Sequence, residues 1–267
     1  MSILPDPGRI TPAPASPDMG RISLVGAGPG ARDLLTLRAI DRLREADIVF
    51  HDRLVDGEVL ALIPHGTRVV NVGKEVGRNA WPQEVICALV VAEALAGARV
   101  VRLKSGDPSI FGRAREEIEA ARAAGIAVEI VPGITAASAA SAVLCEPLTE
   151  RGRFNRLLVI TGTDLHGRPV SDLAACAVPG TRIALYMAVQ HLREISRILL
   201  AASVSPESDV QIVSHVATAR ERVSRTTLAD LADAAGSIEN PSVVLIGIAV
   251  QREASDEDAL SVTGVSG

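Results

Sequence analysis

Short β-branched runs alternate with helical patterns along most of the chain, and this alternation limits it to a small set of folds. Runs of strand length occur at Ile22–Val25, Asp47–Phe50, Arg68–Val72, Arg99–Leu103 and Ala127–Val131. After Pro132 four more follow, at Leu157–Thr161, Arg182–Tyr186, Val210–Val213 and Val243–Ile248. Helical patterns fill the gaps. Thr36 is placed to cap a helix that carries Leu37, Ile40 and Leu43 along one face. Pro82–Ala96 has proline in its first turn and stops at Gly97. Arg113–Ala124 carries its acidic residues early and stops at Gly125, and Gln190–Ala202 and Leu228–Ala235 serve the second half. Strands separated by helices predict mostly parallel sheets with helical cover. Five strands followed by four predict two α/β domains, residues 20–137 and 138–252. The 267 residues, 48% of them hydrophobic, are enough for two cores. Aromatic residues make up only 2%, so those cores are built from Ala, Val, Ile and Leu.

The same composition excludes several functions. A stacking platform for nucleic acid needs exposed rings, and a net charge of −5 disfavours a general polyanion binder, so no nucleic-acid partner is expected. Cys87, Cys145 and Cys176 lie far apart, and no CxxC or Cys/His spacing suggests a metal. The N-terminus lacks the pattern of a signal peptide. The most apolar stretch, Val243–Val250, is far short of the roughly 20 residues that cross a bilayer. A soluble cytoplasmic protein is expected. Residues 1–19, with Pro5, Pro7, Pro12, Pro14 and Pro17, and residues 253–267 read as disordered tails.

Three turns at strand ends carry the chemistry. Val25-Gly26-Ala27-Gly28-Pro29-Gly30-Ala31 follows the first strand, where glycine admits positive φ and lets a ligand approach bare backbone. Gly26-x-Gly28-x-x-Ala31 also fits the dinucleotide fingerprint, with Asp52 placed where a ribose-binding acid would stand, so a Rossmann oxidoreductase using NAD or FAD is a competing reading. Against it, Pro29 stiffens the loop and the helix starts several residues late, near Thr36. The second turn, Arg102 to Arg113, leaves the fourth strand with Gly106 and Gly112 bracketing Asp107 and Pro108. The third, Val131-Pro132-Gly133-Ile134-Thr135-Ala136-Ala137, follows the fifth strand and runs into small residues. Open α/β sheets bind ligands at this carboxyl edge.

Taken in order, these segments resemble the tetrapyrrole methylase family. The resemblance spans about residues 21–250 and rests on VGAGPG at 25–30, LLTLRA at 34–39, DRLV at 52–55, VGKEVG at 72–77 and PQEVI at 82–86. It continues through GDPSIFGR at 106–113, VPGITAAS at 131–138, PLTERG at 147–152, LYMA at 185–188 and PSVVLIG at 241–247. It implies two α/β domains with S-adenosylmethionine in the cleft between them, and a homodimer. DRLV with VGK points within the family to the members that methylate uroporphyrinogen III at two ring carbons, giving precorrin-2 for cobalamin or sirohaem. By motif, Pro29, Ser105, Gly106, Asp107, Ile110, Thr135, Ala136, Met187 and Val216 are implied cofactor contacts. Asp52 resembles the proton acceptor and Lys74 the proton donor, while Arg113, Glu116 and Arg151 match positions that face the macrocycle.

The chain departs from the family pattern at several of these places. SGDPSIFGRAREE stands for GGDPFIFGRGGEE, so Ser105, Ser109, Ala114 and Arg115 are substitutions. Glu150 replaces the histidine of LTHR, Thr163 that of TGH, and His51 stands where tyrosine is common. These changes leave open a divergent paralogue that methylates another precorrin or only binds the cofactor. Without the resemblance, Asp52 reads as a turn cap, Lys74 as a solvated loop residue, Asp107 as the anchor of an Asx turn, Met187 as core filler, and Arg113 with Glu116 as a helix-face pair.

Overall fold

The structure, a computed structural model, describes residues 19–73, 81–164, 166–170 and 172–250. The expected tails fall almost wholly outside these residues, as does Lys74. The chain divides into two compact units, Met1–Val143 with His215–Glu221, and Leu144–Ser214 with Arg222–Gly267.

The first unit is built on a parallel sheet of β1 (Arg21–Gly26), β2 (Ile48–His51), β3 (Arg68–Asn71), β4 (Arg99–Lys104) and β5 (Ala127–Val131), in the order β3-β2-β4-β1-β5. Strand alternation gives it two apolar faces. On one, Ile22, Leu24, Ile48, Phe50 and Val100 pack with Ile86, Val90 and Ala94 of α3 (Gln83–Leu95) and with Ala114 and Ala121 of α4 (Ala114–Ala123). On the other, Val25, Val49, Val101, Leu103 and Val131 pack with Ala39 and Leu43 of α1 (Leu37–Glu45) and with Val59 of the one-turn α2 (Gly57–Leu60). The Thr36 side chain accepts from the Ala39 N–H at 3.1 Å, the cap that its sequence position predicts. Gly97 and Gly125 follow α3 and α4 with φ of 91° and 72°. Because all five strands run parallel, their carboxyl ends, and the three glycine turns that follow β1, β4 and β5, share one edge.

α5 (Ala136–Leu144) leads to the second unit, with β6 (Arg156–Thr161), β7 (Thr181–Tyr186), β8 (Asp209–Ser214), β9 (Arg222–Thr227) and β10 (Ser242–Ile248). The order is β6-β7-β10-β8-β9, and only β6 and β7 run parallel. The expectation of a mostly parallel four-stranded second sheet is therefore corrected twice. β9, Arg-Val-Ser-Arg-Thr-Thr, is an exposed edge strand, too polar to stand out as a strand by hydrophobicity. β10 reverses direction between β7 and β8, so most pairs are antiparallel. One face packs on α6 (Leu173–Cys176), α7 (Leu192–Ala201) and α8 (Leu231–Ala234) through Ile183, Leu185, Val210, Ile212, Val244 and Ile246. On the other, Phe154 is buried, with the guanidinium groups of Arg153 and Arg182 over its ring at 4.8 and 4.4 Å from the ring centre. A Cβ on Gly247 would lie 2.8 Å from the tip of that ring, which is why this strand carries glycine there.

Candidate functional site

The three glycine turns of the first unit are locked together backbone to backbone. Gly28 and Gly106 exchange hydrogen bonds, N–H to carbonyl, at 3.2 and 2.7 Å, and Ala27 N–H donates to the Lys104 carbonyl at 2.7 Å. A Cβ on Gly133 would stand 2.2 Å from the Gly106 carbonyl oxygen, and one on Gly26 would stand 2.6 Å from the Gly133 backbone. Gly26 and Gly133 are thus required by close approach. Gly106, with φ +71°, is required by conformation, and among the described residues no atom beyond its chain neighbours lies within 4 Å of where its Cβ would be. The Asp107 carboxylate closes the junction: Oδ2 accepts from Gly133 N–H at 3.0 Å, while Oδ1 accepts from the Ser109 N–H at 2.7 Å and from the Ser109 hydroxyl. The Asx turn is present, and the same side chain also ties the second turn to the third.

Asp107, Ile110 and Thr135 line one cavity of about 370 Å³ with Ser109, Gly133, Ile134 and Ser138, a size within the usual range of small-ligand sites. Ser105 and Gly106 precede it on the second turn, and Ala136 opens α5 behind Thr135. The first turn reaches a fourth segment: a Cβ on Gly30 would lie 2.5 Å from the Ala217 carbonyl oxygen, next to the buried Val216. Pro29, between Gly28 and Gly30, is half-buried. Among the described residues, positive φ at non-glycine positions concentrates in the segments singled out by motif: Phe111, Arg113, Met187, His215 and Ala217. Such conformations cost about 1–3 kcal/mol and collect at functional sites. Met187, in the second unit, is 51% exposed, so it is not core filler.

Asp52 stands just past the carboxyl end of β2 and ion-pairs with the buried guanidinium of Arg102. Arg102 also donates from Nε to Glu117 Oε1 at 3.1 Å, and Lys104 Nζ donates to the same oxygen at 2.9 Å. Burial, then the neighbouring Arg102 charge, push the Lys104 ammonium below the ordinary lysine range. This buried network was invisible in the sequence, where Val100-Val101-Arg102-Leu103-Lys104 alternates like a half-exposed strand. The available signal was Glu117, spaced with Ala114 and Ala121 on the buried face of α4.

The macrocycle-facing candidates are exposed. Arg113 Nε donates to Glu116 Oε1 at 2.8 Å, and both line a second cavity of about 470 Å³ between α3 and α4, whose wall includes Gln83 and Cys87. Burial pushes the Glu116 carboxyl up, but its hydrogen bond to Arg113, a backbone hydrogen bond and the Arg113 and Lys104 charges together leave it below the ordinary range. Arg151 lies in the turn before Phe154, and among the described residues it makes no ion pair. Glu150 does not sequester it; its carboxylate pairs with Arg153 at 3.3 Å.

The dinucleotide reading does not fit this arrangement. A single 3-10 turn, Arg32–Leu34, separates the glycines from Thr36 and α1, so the helix N-terminus does not follow the turn directly. Asp52, the supposed ribose ligand, is committed to Arg102. Residues 21–232 instead match the tetrapyrrole (corrin/porphyrin) methylases. The chain belongs to the tetrapyrrole methylase family. A uroporphyrinogen-III C-methyltransferase of Paracoccus denitrificans is 45% identical over 85% of this chain and 79% of its own length. A siroheme synthase of Tolumonas auensis is 41% identical over 85% of this chain, which spans about half (49%) of that longer protein. The crystal structure of a Thermus thermophilus uroporphyrin-III C-methyl transferase complexed with S-adenyl homocysteine superposes with a TM-score of 0.74 at 36% identity, covering 85% of this chain and 97% of that one.

Proposed function

We propose that this chain is an S-adenosylmethionine-dependent methyltransferase that methylates uroporphyrinogen III at two ring carbons to give precorrin-2. The observation that carries the reading is the junction of three strand-end turns around the cavity of Asp107, Ile110 and Thr135. The cofactor fits the residues present. The vacant Cβ direction at Gly106 leaves backbone uncovered beside the cavity, and Ile110 and Ile134 give it apolar wall. Pro29, Ser105, Gly106, Ile110, Thr135 and Ala136 contact the cofactor in this reading, with Met187 and Val216 as further contacts. Asp107, which lines the cavity, is a further contact in this reading, and its two oxygens also hold the turns in register. When bound, S-adenosylmethionine supplies a methyl group made electrophilic by a cationic sulfur.

Ring carbons of a reduced tetrapyrrole are electron-rich and need little activation. The protein's main task is then to align carbon and methyl and exclude water, a proximity contribution of roughly 7–11 kcal/mol. A proton is handled in the course of the reaction, and Asp52, held at the sheet edge by Arg102, accepts it in this reading. Lys74, carried over as proton donor, lies outside the described residues. Arg113 spends its Nε on Glu116, which among the described residues leaves both terminal nitrogens for a substrate carboxylate; Arg151 offers a second fork. We place the enzyme in the cytoplasm as a homodimer, a reading supported by the family resemblance. Among the described residues no helix is long and apolar enough to cross a membrane. Calorimetry tests the cofactor assignment: S-adenosylhomocysteine binds and NAD and FAD do not, whereas binding of either dinucleotide without S-adenosylhomocysteine overturns it.

A further inference from the structure

We propose that Glu117 is a positioning residue for Asp52, acting through Arg102. Arg102 and Lys104 lie on the α3/α4 face of β4 by strand alternation, continuing the row begun by Val100, so the apolar layer turns ionic at the carboxyl edge of the sheet. Two cations, Arg102 and Lys104, meet two carboxylates, Glu117 and Asp52. The side chains of Arg102, Lys104 and Glu117 are 3%, 4% and 1% exposed, whereas that of Asp52 is 33% exposed. Three members are thus sealed in, and only the fourth is part-exposed.

Every nitrogen of Arg102 is committed. Nε donates to Glu117, Nη1 to the carbonyls of Leu103 and Phe50 at 3.2 and 3.5 Å, and Nη2 to Asp52. A planar fork fixed at all three nitrogens presents Nη2 to Asp52 Oδ1 from one direction. Glu117 Oε1 anchors that fork and also accepts from Lys104 Nζ and from Gln83 Nε2 of α3, at 2.9 and 3.1 Å. Glu117 Oε2 is buried without a partner among the described residues, so the carboxylate is held from one oxygen. Removing its charge leaves two sealed cations facing Asp52 alone, and a neutral amide oxygen shared with Lys104 holds Nε of Arg102 in line more weakly. Glu117 is not among the residues that line either cavity; it reaches the Arg113 cavity only through Gln83 and Asp52 only through Arg102, and a double-mutant cycle separates the two routes.

The proposal rests on Asp52 accepting a proton during methylation, and a double-mutant cycle separates the two ideas. The kcat and KM for methyl transfer to uroporphyrinogen III are measured for the wild type, Asp52→Asn, Glu117→Gln and the double variant, with S-adenosylhomocysteine affinity and Tm alongside. Each single change is expected to lower kcat about tenfold or more while KM and cofactor affinity hold within about threefold, and the double variant is expected to be no slower than Asp52→Asn. If Asp52→Asn leaves kcat unchanged, the role of Asp52 fails and the proposal falls with it. If Asp52→Asn slows the reaction but Glu117→Gln slows the Asp52→Asn background as much as the wild type, positioning fails while Asp52 stands. Arg102→Lys, which keeps the charge and loses the fork, carries the same test should Glu117→Gln not fold: non-additivity with Asp52→Asn supports the proposal, and additivity overturns it.

Discussion

At the scale of residues, each glycine of the site has its own reason to be glycine. Gly26 and Gly133 touch other backbone, whereas Gly106 adopts positive φ beside open space. Gly133→Ala puts a Cβ 2.2 Å from a carbonyl oxygen, so the turns must part. The expected outcome is a loss of about 1–3 kcal/mol in thermal melts, with markedly weaker S-adenosylhomocysteine binding by calorimetry. Unchanged affinity would contradict the role given to the junction. The motifs that place Gly26, Gly106 and Gly133 were legible in the sequence, as was the acid at position 52. The partners of the acids were not. Asp107 reaches Gly133 across 26 positions and Asp52 reaches Arg102 across 50, and such pairings exist only once the strands are side by side. The burial of Arg102 and Lys104 was not legible either, because strand alternation alone cannot tell water from a buried carboxylate.

At the scale of elements, local signals located what local chemistry determines. All nine expected strands appear within one residue of their expected ends, and Thr36 and Gly125 bound helices as their types require. Strand direction in the second unit was not legible, because it depends on which neighbour β10 pairs with rather than on its own composition. A departure from the family pattern, the turn after β6, has a local anchor of its own. The Asp164 carboxylate accepts from the Arg168 and His166 N–H groups at 2.9 and 2.8 Å and from the Arg168 guanidinium. The Arg168 backbone bond, then the Arg168 side chain and the His166 N–H, hold its pKa down from 3.8 to about 2. Because the folded value lies below the unfolded one, this anchoring is complete above the ordinary carboxylate range and is lost as pH falls through about 2. Amide exchange at His166 and Arg168 is therefore expected to show no anchor loss between neutral pH and pH 4. Asp164→Asn should speed it across that range, and equal exchange in the two proteins would remove the anchor.

At the scale of the whole molecule, the chain meets an anionic substrate without being basic. A net charge of −5 leaves recognition of carboxylates to individual arginines, and Arg113 and Arg151 are exposed with terminal nitrogens to offer. The substitutions near them, Ala114, Arg115 and Glu150, left the substrate open when read from the sequence. In the structure Arg115 pairs with Glu119 at 2.7 Å and Glu150 with Arg153 at 3.3 Å, so neither added charge is spent on Arg113 or Arg151. Methyl-donor chemistry was legible in the glycine turns; the acceptor rests on side chains whose arrangement only the fold supplies. The mass of the product formed from uroporphyrinogen III and S-adenosylmethionine tests the account most directly. A product carrying two added methyl groups is what it predicts, and unmodified uroporphyrinogen III after prolonged incubation with cofactor-loaded protein would contradict it.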